Sequence, residues 1–263
     1  MIAPTPLLDF FKRGEVDRET RMLAAEGALA PRAMEQLSIL VLLLEDSDAE
    51  IRRTAEETLG RIPEESLKAF LGRSDVPLGL REFFGDRGIF PDEIPQIELE
   101  ADIVDEPLVD LGGDDLDLGD ENETKESATQ RIAKMGFSER LKAAVKGSRE
   151  MRGLLVRDPN KMISAAVLSS PKLTESEVEA FARMASLSED VLRIIGNNRA
   201  WTKSYKVVLG LTRNPKTPLA LSMNLMGRLN SKDMSQLSVD RNVPEALRIA
   251  ARKKVIANLS GKG

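Results

Sequence analysis

The chain has 263 residues, a net charge of −5, and neither cysteine nor histidine. Without thiols there is no disulfide framework, thiolate nucleophile or Cys-type zinc site, and the composition fits a reducing cytoplasm. Without imidazole the commonest general base and metal ligand are missing, so the sequence predicts a non-enzyme with no cofactor and no metal.

The mean charge conceals a division. Residues 1–126 hold 13 Lys and Arg against 32 Asp and Glu, whereas residues 127–263 hold 25 against 11. Fifteen of those 32 carboxylates fall between Asp92 and Glu126, opposed by Lys125 alone. Segregation on this scale points to a charged partner, in another molecule or in the other half of the chain.

In chain order, MIAPTPLLDFFKRGE lacks the basic-then-apolar pattern expected of a secretory signal. The longest apolar run, ILVLLL at 39–44, is far short of a membrane span and predicts a buried helix. DRETRMLAAEGAL from Asp17, DSDAEIRRTAEETLGRI from Asp46 and SDVPLGLREFF from Ser74 read as successive helical units, the last two 28 residues apart. They predict an N-terminal helical repeat domain over residues 1–87.

Residues 88–126 are rich in proline, glycine and like charge, a composition that opposes both helix and core. This segment is expected to be a disordered acidic linker. Aliphatic residues are spread among its acids, and Leu108, Val109, Leu111, Leu116 and Leu118 suit docking on a basic surface with apolar pockets. The plainer alternative is a solubilising tether.

Residues 127–263 predict a basic C-terminal repeat domain. Rows of 28 residues begin at Arg157, Ala185, Arg213 and Arg241. Apolar columns then align Ile163, Val191, Leu219 and Leu247; Val167, Ile195, Met223 and Ala251; and Phe181, Leu209 and Leu237. Each row holds two amphipathic segments with helical spacing. Asp158 and Asn214 are placed as N-caps with Pro159 and Pro215 at the first helical position. Thr174, Thr202 and Asn230 fall in one column as caps of the second helix, and TESE at 174–177 reads as a capping box.

LLEDSDAEIRRTAEETLGRI at 43–62 resembles the HEAT repeat, with a short acidic turn before an amphipathic helix carrying Ile51, Arg52, Ala55 and Leu59. Rows 157–256 are similar to the shorter bacterial repeats of the HEAT/armadillo-like superfamily, including the leucine-rich repeat variant type. The resemblance implies an all-α fold, an α-solenoid of two-helix repeats in two arrays separated by the acidic linker. Such solenoids mostly serve as binding surfaces.

Candidate contacts follow from that expectation. Arg157, Arg213 and Arg241 recur just before the first helix of a row, where a guanidinium can pair with carboxylates or phosphates, or tie down a neighbouring turn. In NNRAWTKSYK, Asn198, Arg199, Lys203, Tyr205 and Lys206 form a basic-aromatic cluster, while Trp201 shares a column with Leu173 and Leu229 and is expected in the core. Arg248, Arg252, Lys253 and Lys254 surround the last helix, where a terminal repeat also needs a polar cap. No Walker A loop, G-x-G-x-x-G or EF-hand order is present. The sequence therefore predicts a cytoplasmic protein-binding scaffold or adaptor whose basic C-terminal array takes an acidic protein or peptide and is masked in cis by the linker. The alternative is nucleic-acid binding by the same half; neither a membrane nor a small-molecule substrate is expected.

Overall fold

In the computed structural model, which describes residues 5–91, 106–111 and 127–260, short polar side chains set many of the helix starts. Asp17 accepts from the Thr20 N–H at 2.7 Å, Asp48 from the Glu50 N–H at 2.9 Å and Asn160 from the Met162 N–H at 2.9 Å. These caps satisfy N–H groups that a first helical turn leaves without partners. The fold is all-α: sixteen α-helices and one 3-10 turn, with no strand among the described residues. The chain divides into two compact units, Met1–Leu173 and Thr174–Gly263.

The first unit contains α1 (Pro6–Lys12), α2 (Arg18–Ala25), α3 (Ala33–Leu43), α4 (Ala49–Gly60), α5 (Glu64–Leu71), α6 (Leu78–Gly85), α7 (Ala128–Lys134), α8 (Phe137–Lys146), α9 (Arg149–Leu155) and α10 (Lys161–Leu168). Its core includes Leu7, Leu37, Leu40, Ile51, Leu71 and Leu141. Helix α3 packs against α1, α2 and α4, which is why AMEQLSILVLL is apolar around most of its circumference. As the 39–44 run predicts, Ile39, Leu40 and Leu43 are buried in it.

The sequence puts a domain boundary between residues 126 and 127, whereas the compact units part between Leu173 and Thr174. The reason is α10. Every residue from Met162 to Leu168 is buried, and the helix packs against both α1 and α8. Residues 127–173 are thereby part of the same body as residues 5–91. Leu116 and Leu118, and most of the expected linker, lie outside the described residues.

The second unit contains α11 (Glu175–Arg183), α12 (Glu189–Asn197), the 3-10 turn Trp201–Lys203, α13 (Tyr205–Arg213), α14 (Leu219–Met226), α15 (Ser231–Leu237) and α16 (Glu245–Ser260). First helices of the rows start at Lys161, Glu189, Leu219 and Glu245, so their spacing is 28, 30 and 26 residues. Second helices start at Glu175, Tyr205 and Ser231, with spacings of 30 and 26. The 3-10 turn between α12 and α13 adds two residues, and the short connection 227–230 removes them again.

That slip corrects the columns from Leu209 to Met223, across two rows. Leu219 is 40% exposed and Leu209 and Met223 are only half-buried, while Leu211 is fully buried. Leu221 takes the place assigned to Leu219: it lies so close to Gly196 that a Cβ there would be 2.3 Å from Leu221 Cδ2. At the other column positions Ile163, Val167, Phe181, Val191, Ile195, Leu237, Leu247 and Ala251 are buried as expected.

The caps are also partly reassigned. Asp158 Oδ1 accepts from the Asn160 N–H at 2.8 Å, and it is Asn160 that caps α10. Asn214 Oδ1 accepts from the Lys216 N–H at 3.0 Å, five residues before α14 begins. An Asx side chain followed by proline closes a turn of its own, because the ring presets φ for the next position. Thr174 and Asn230 do cap α11 and α15, and Thr174 forms the expected capping box with Glu177. Thr202 does not cap α13. It lies inside the 3-10 turn and donates to the Asn198 carbonyl at 2.8 Å.

Candidate functional site

Two places bring candidate residues together, one in each unit. In the second, α11 and α13 approach closely at Gly210, where a Cβ would lie 3.1 Å from both Ala182 Cβ and Arg183 Cγ. Beside that contact is a cavity of about 190 Å³ lined by Arg183, Lys206, Leu209, Gly210, Arg213, Asn214 and Pro215. Asn214 is fixed there by donating to the carbonyls of Ala182 and Met184, each at 3.0 Å.

Three cations thus stand round one small cavity, but they are not equally committed. Arg213 pairs with Asp233 at 3.0 Å and also donates to Gln236. Lys206 makes a looser pair with Glu179 at 3.4 Å and keeps most of its side chain in solvent. Arg183 is exposed. Asp233 is in turn held by the Tyr205 hydroxyl, which donates to Oδ2 at 2.5 Å and accepts from the Asn230 N–H at 3.2 Å. Desolvation and the neighbouring carboxylate push the Tyr205 phenol above its ordinary range. Tyr205 and Arg213 therefore tie α13 to α15, a structural task that the sequence column did not separate from binding.

The other candidates spread along the unit. Arg199 and Lys203 are exposed on the connection 198–204, and Asn198 turns it by accepting from the Ala200 N–H at 2.9 Å. Trp201, expected in the core, is half-buried; its neighbour Thr202 is the buried residue. Arg241 is exposed on the turn before α16, and Arg157 is exposed in the first unit, so the arginine column is divided between the units. On α16 Lys253 and Lys254 are exposed, Arg248 is half-buried, and Arg252 donates to the Ser238 carbonyl at 3.4 Å. Ile249 and Ile256 share a face with Arg252 and Lys253 and are themselves exposed. Arg183 carries no column or motif signal, and nothing in the sequence singles it out.

The second place is in the first unit. Gly27, with φ +71°, turns the chain between α2 and α3, and Gln36 is buried on the first turns of α3. Residues 106–111, Glu-Pro-Leu-Val-Asp-Leu, lie across them without helical structure. The Gln36 amide grips their main chain from both sides: Oε1 accepts from the Leu108 N–H at 2.8 Å and the Val109 N–H at 3.1 Å, and Nε2 donates to the Val109 carbonyl. The Leu111 N–H donates to the Gly27 carbonyl at 3.4 Å. Val109 is buried and Leu111 rests near Gly27, while Asp110 pairs with Lys146 at the end of α8. Of the residues expected to dock on a basic surface, Val109 is buried, Leu108 is half-buried and Leu111 stays 42% exposed, and one cation of the basic half, Lys146, takes part. The main anchor, Gln36, belongs to the acidic half and was missed, because a glutamine in a helix reads as surface.

One further group is perturbed. Glu35 is fully buried and accepts from the Leu7 N–H at 2.6 Å and the Leu8 N–H at 3.1 Å, capping α1 from α3. Burial pushes its carboxyl up to about 7, opposed by the nearby Ser169 hydroxyl, the two N–H groups and the Arg32 charge. Glu35 Oε2 and Ser169 Oγ are both buried short of hydrogen-bond geometry.

No family model, no curated protein and no solved structure matches this chain. Among the described residues, no group of three carboxylates is placed to share a metal ion. Nor is any helix among them long and apolar enough to cross a membrane.

Proposed function

We propose that the chain is a non-catalytic cytoplasmic scaffold, an α-solenoid whose second unit binds an acidic protein or peptide surface. The supporting observation is the cavity beside Gly210, where Arg183, Lys206 and Arg213 meet an apolar wall of Leu209 and Pro215. A carboxylate entering it finds guanidinium and ammonium donors, and an adjacent aliphatic side chain finds the wall. The net charge of residues 174–263, 15 Lys and Arg against 8 Asp and Glu, draws such a partner in.

Nucleic acid is the competing ligand for the same cations. It is disfavoured because Trp201 is half-buried and the Tyr205 hydroxyl is engaged by Asp233, leaving few platforms for stacking bases. The test is fluorescence anisotropy of the full chain with a labelled peptide of mixed aspartate and leucine, and in parallel with short DNA and RNA, over a salt series. Peptide binding that weakens in the Arg183→Glu, Lys206→Glu variant supports the proposal. Binding of DNA or RNA alone, with a steep loss on adding salt, replaces it with the nucleic-acid reading.

A further inference from the structure

The contacts made by residues 106–111 have the form of peptide recognition. Four of the hydrogen bonds that hold the segment use its main chain: the N–H groups of Leu108, Val109 and Leu111 and the carbonyl of Val109. Among its side chains, Val109 is buried and Asp110 pairs with Lys146. Main-chain capture with a few side chains specifying the ligand is one of the ways in which extended peptides are bound. Proline stands at position 107, the one place among 107–109 where no N–H is used, and it biases the residue before it toward extended backbone. The order aliphatic-Val-Asp occurs again at Ile103-Val104-Asp105, so the chain carries the pattern twice within eight residues.

The receiving residues are held by the fold around them. Gln36 sits on a packed helix, and Gly27 holds its carbonyl outward by a left-handed backbone that side-chain-bearing residues rarely adopt. A Cβ at Gly27 would lie 3.2 Å from Thr58 Cγ2 and in ordinary contact with Val109 Cγ1, so a side chain there presses on Thr58 and strains the left-handed backbone.

We infer that the seat formed by Gly27, Gln36 and Lys146 is a peptide-binding site for an extended aliphatic-Val-acid segment of a partner protein, which the chain's own residues 108–111 occupy in cis. This site is separate from the cavity proposed above and does not depend on it. A partner carrying the same order displaces the resident segment, and the covalent connection of that segment to the chain sets the threshold that the partner must exceed. The apparent affinity is lowered by the fraction of chains in which the seat is filled.

The probe is a fluorescein-labelled peptide with the sequence of residues 105–112, titrated into the full chain. In the Val104→Lys, Val109→Lys variant, which disables both copies of the sequence pattern, binding tightens by about tenfold or more, because a tethered competitor acts at millimolar effective concentration. Adding Gln36→Ala to that variant abolishes binding, whereas adding Arg183→Glu does not. Lys146→Glu in the same background switches preference to a peptide with lysine in place of Asp110. Equal affinity for wild type and the double-lysine variant, or binding indifferent to Gln36→Ala, overturns the inference. Hydrogen exchange on the wild-type chain gives an answer even if a variant misfolds. The Leu108, Val109 and Leu111 amides exchange faster than those of α3, and faster still with unlabelled peptide present. Exchange only by global unfolding makes the segment a fixed strap and ends the proposal.

Discussion

The carboxylate of Glu35 on α3 takes the Leu7 N–H at 2.6 Å, so one buried side chain closes the first turn of another helix. An acid whose pKa rises from 4.5 to about 7 on folding holds its proton more tightly when folded. Its contribution is whole below pH 4.5 and is lost as pH climbs through about 7, a change of about 3 kcal/mol. Glu35→Gln keeps an acceptor for Leu7 and Leu8 and removes the charge. Urea unfolding near pH 8 should find this variant about 2–3 kcal/mol more stable than wild type, and near pH 4.5 the two should converge. Equal slopes of stability against pH for both proteins would show that Glu35 ionises without cost.

At Gly196 the packing of α12 against Leu221 leaves no room for a methyl group. A Cβ would lie 2.3, 3.0 and 3.1 Å from Leu221 Cδ2, Cγ and Cδ1, so the whole side chain must move. Alanine is the better helix former by about 1 kcal/mol, yet overpacking typically costs about 1–3 kcal/mol. The net expectation for Gly196→Ala is destabilisation, relieved when Leu221→Ala is added. Thermal unfolding of the two single variants and the double variant gives the coupling directly. Gly196→Ala stabilising the protein would mean that Leu221 has another rotamer to occupy.

These two sites show why part of the fold was legible and part was not. The all-α class, the two-helix rows, the Thr174 capping box and most of the apolar columns rest on local periodicity and capping, which a sequence displays openly. The two-residue slip at Trp201–Lys203 is compensated within the same pair of rows, so a fixed period fits on both sides and conceals it. Helix α3 shows the other limit. Arg32, Glu35 and Gln36 look like the polar start of a helix, yet each is buried and holds a distant segment: the end of α10, the start of α1 and residues 108–109. Their partners are 136, 28 and 72 positions away, beyond any local pattern. Docking of Val109 was legible as chemistry, an aliphatic among acids, but its receptor was not.

Asp233 draws Tyr205 and Arg213 together, and the division between structure and binding at these two candidates can be measured. Tyr205→Phe removes the charge-assisted hydrogen bond to Asp233 and the acceptor of the Asn230 N–H, and should cost about 1–2 kcal/mol, since the Tyr205 side chain is partly exposed. Arg213→Ala should cost a similar amount, and the double variant less than the sum, because both act through one carboxylate. Acidic-peptide affinity separates their roles. It should fall with Arg213→Ala, which also lines the cavity, and hold with Tyr205→Phe. Strict additivity in stability would show that the two do not share Asp233.

Asp158 offers the clearest test of the reassigned helix starts. Its Oδ1 closes a turn on the Asn160 N–H at 2.8 Å, and its Oδ2 pairs with Arg140 at 2.6 Å, with the Asp158 side chain almost wholly buried. Asparagine preserves the turn acceptor and removes the charge, whereas alanine removes both. If Asp158 were the cap of α10, Asp158→Asn would be nearly silent, since asparagine caps as well as aspartate. With the Arg140 pair in place, Asp158→Asn should instead cost about 1–3 kcal/mol, and Asp158→Ala more. Asn160→Ala should cost about 1 kcal/mol, the usual value of a lost N-cap. Added salt should narrow the gap between wild type and Asp158→Asn only slightly, because a mostly buried pair is poorly screened. A silent Asp158→Asn together with a silent Asn160→Ala would move the start of α10 back to Asp158.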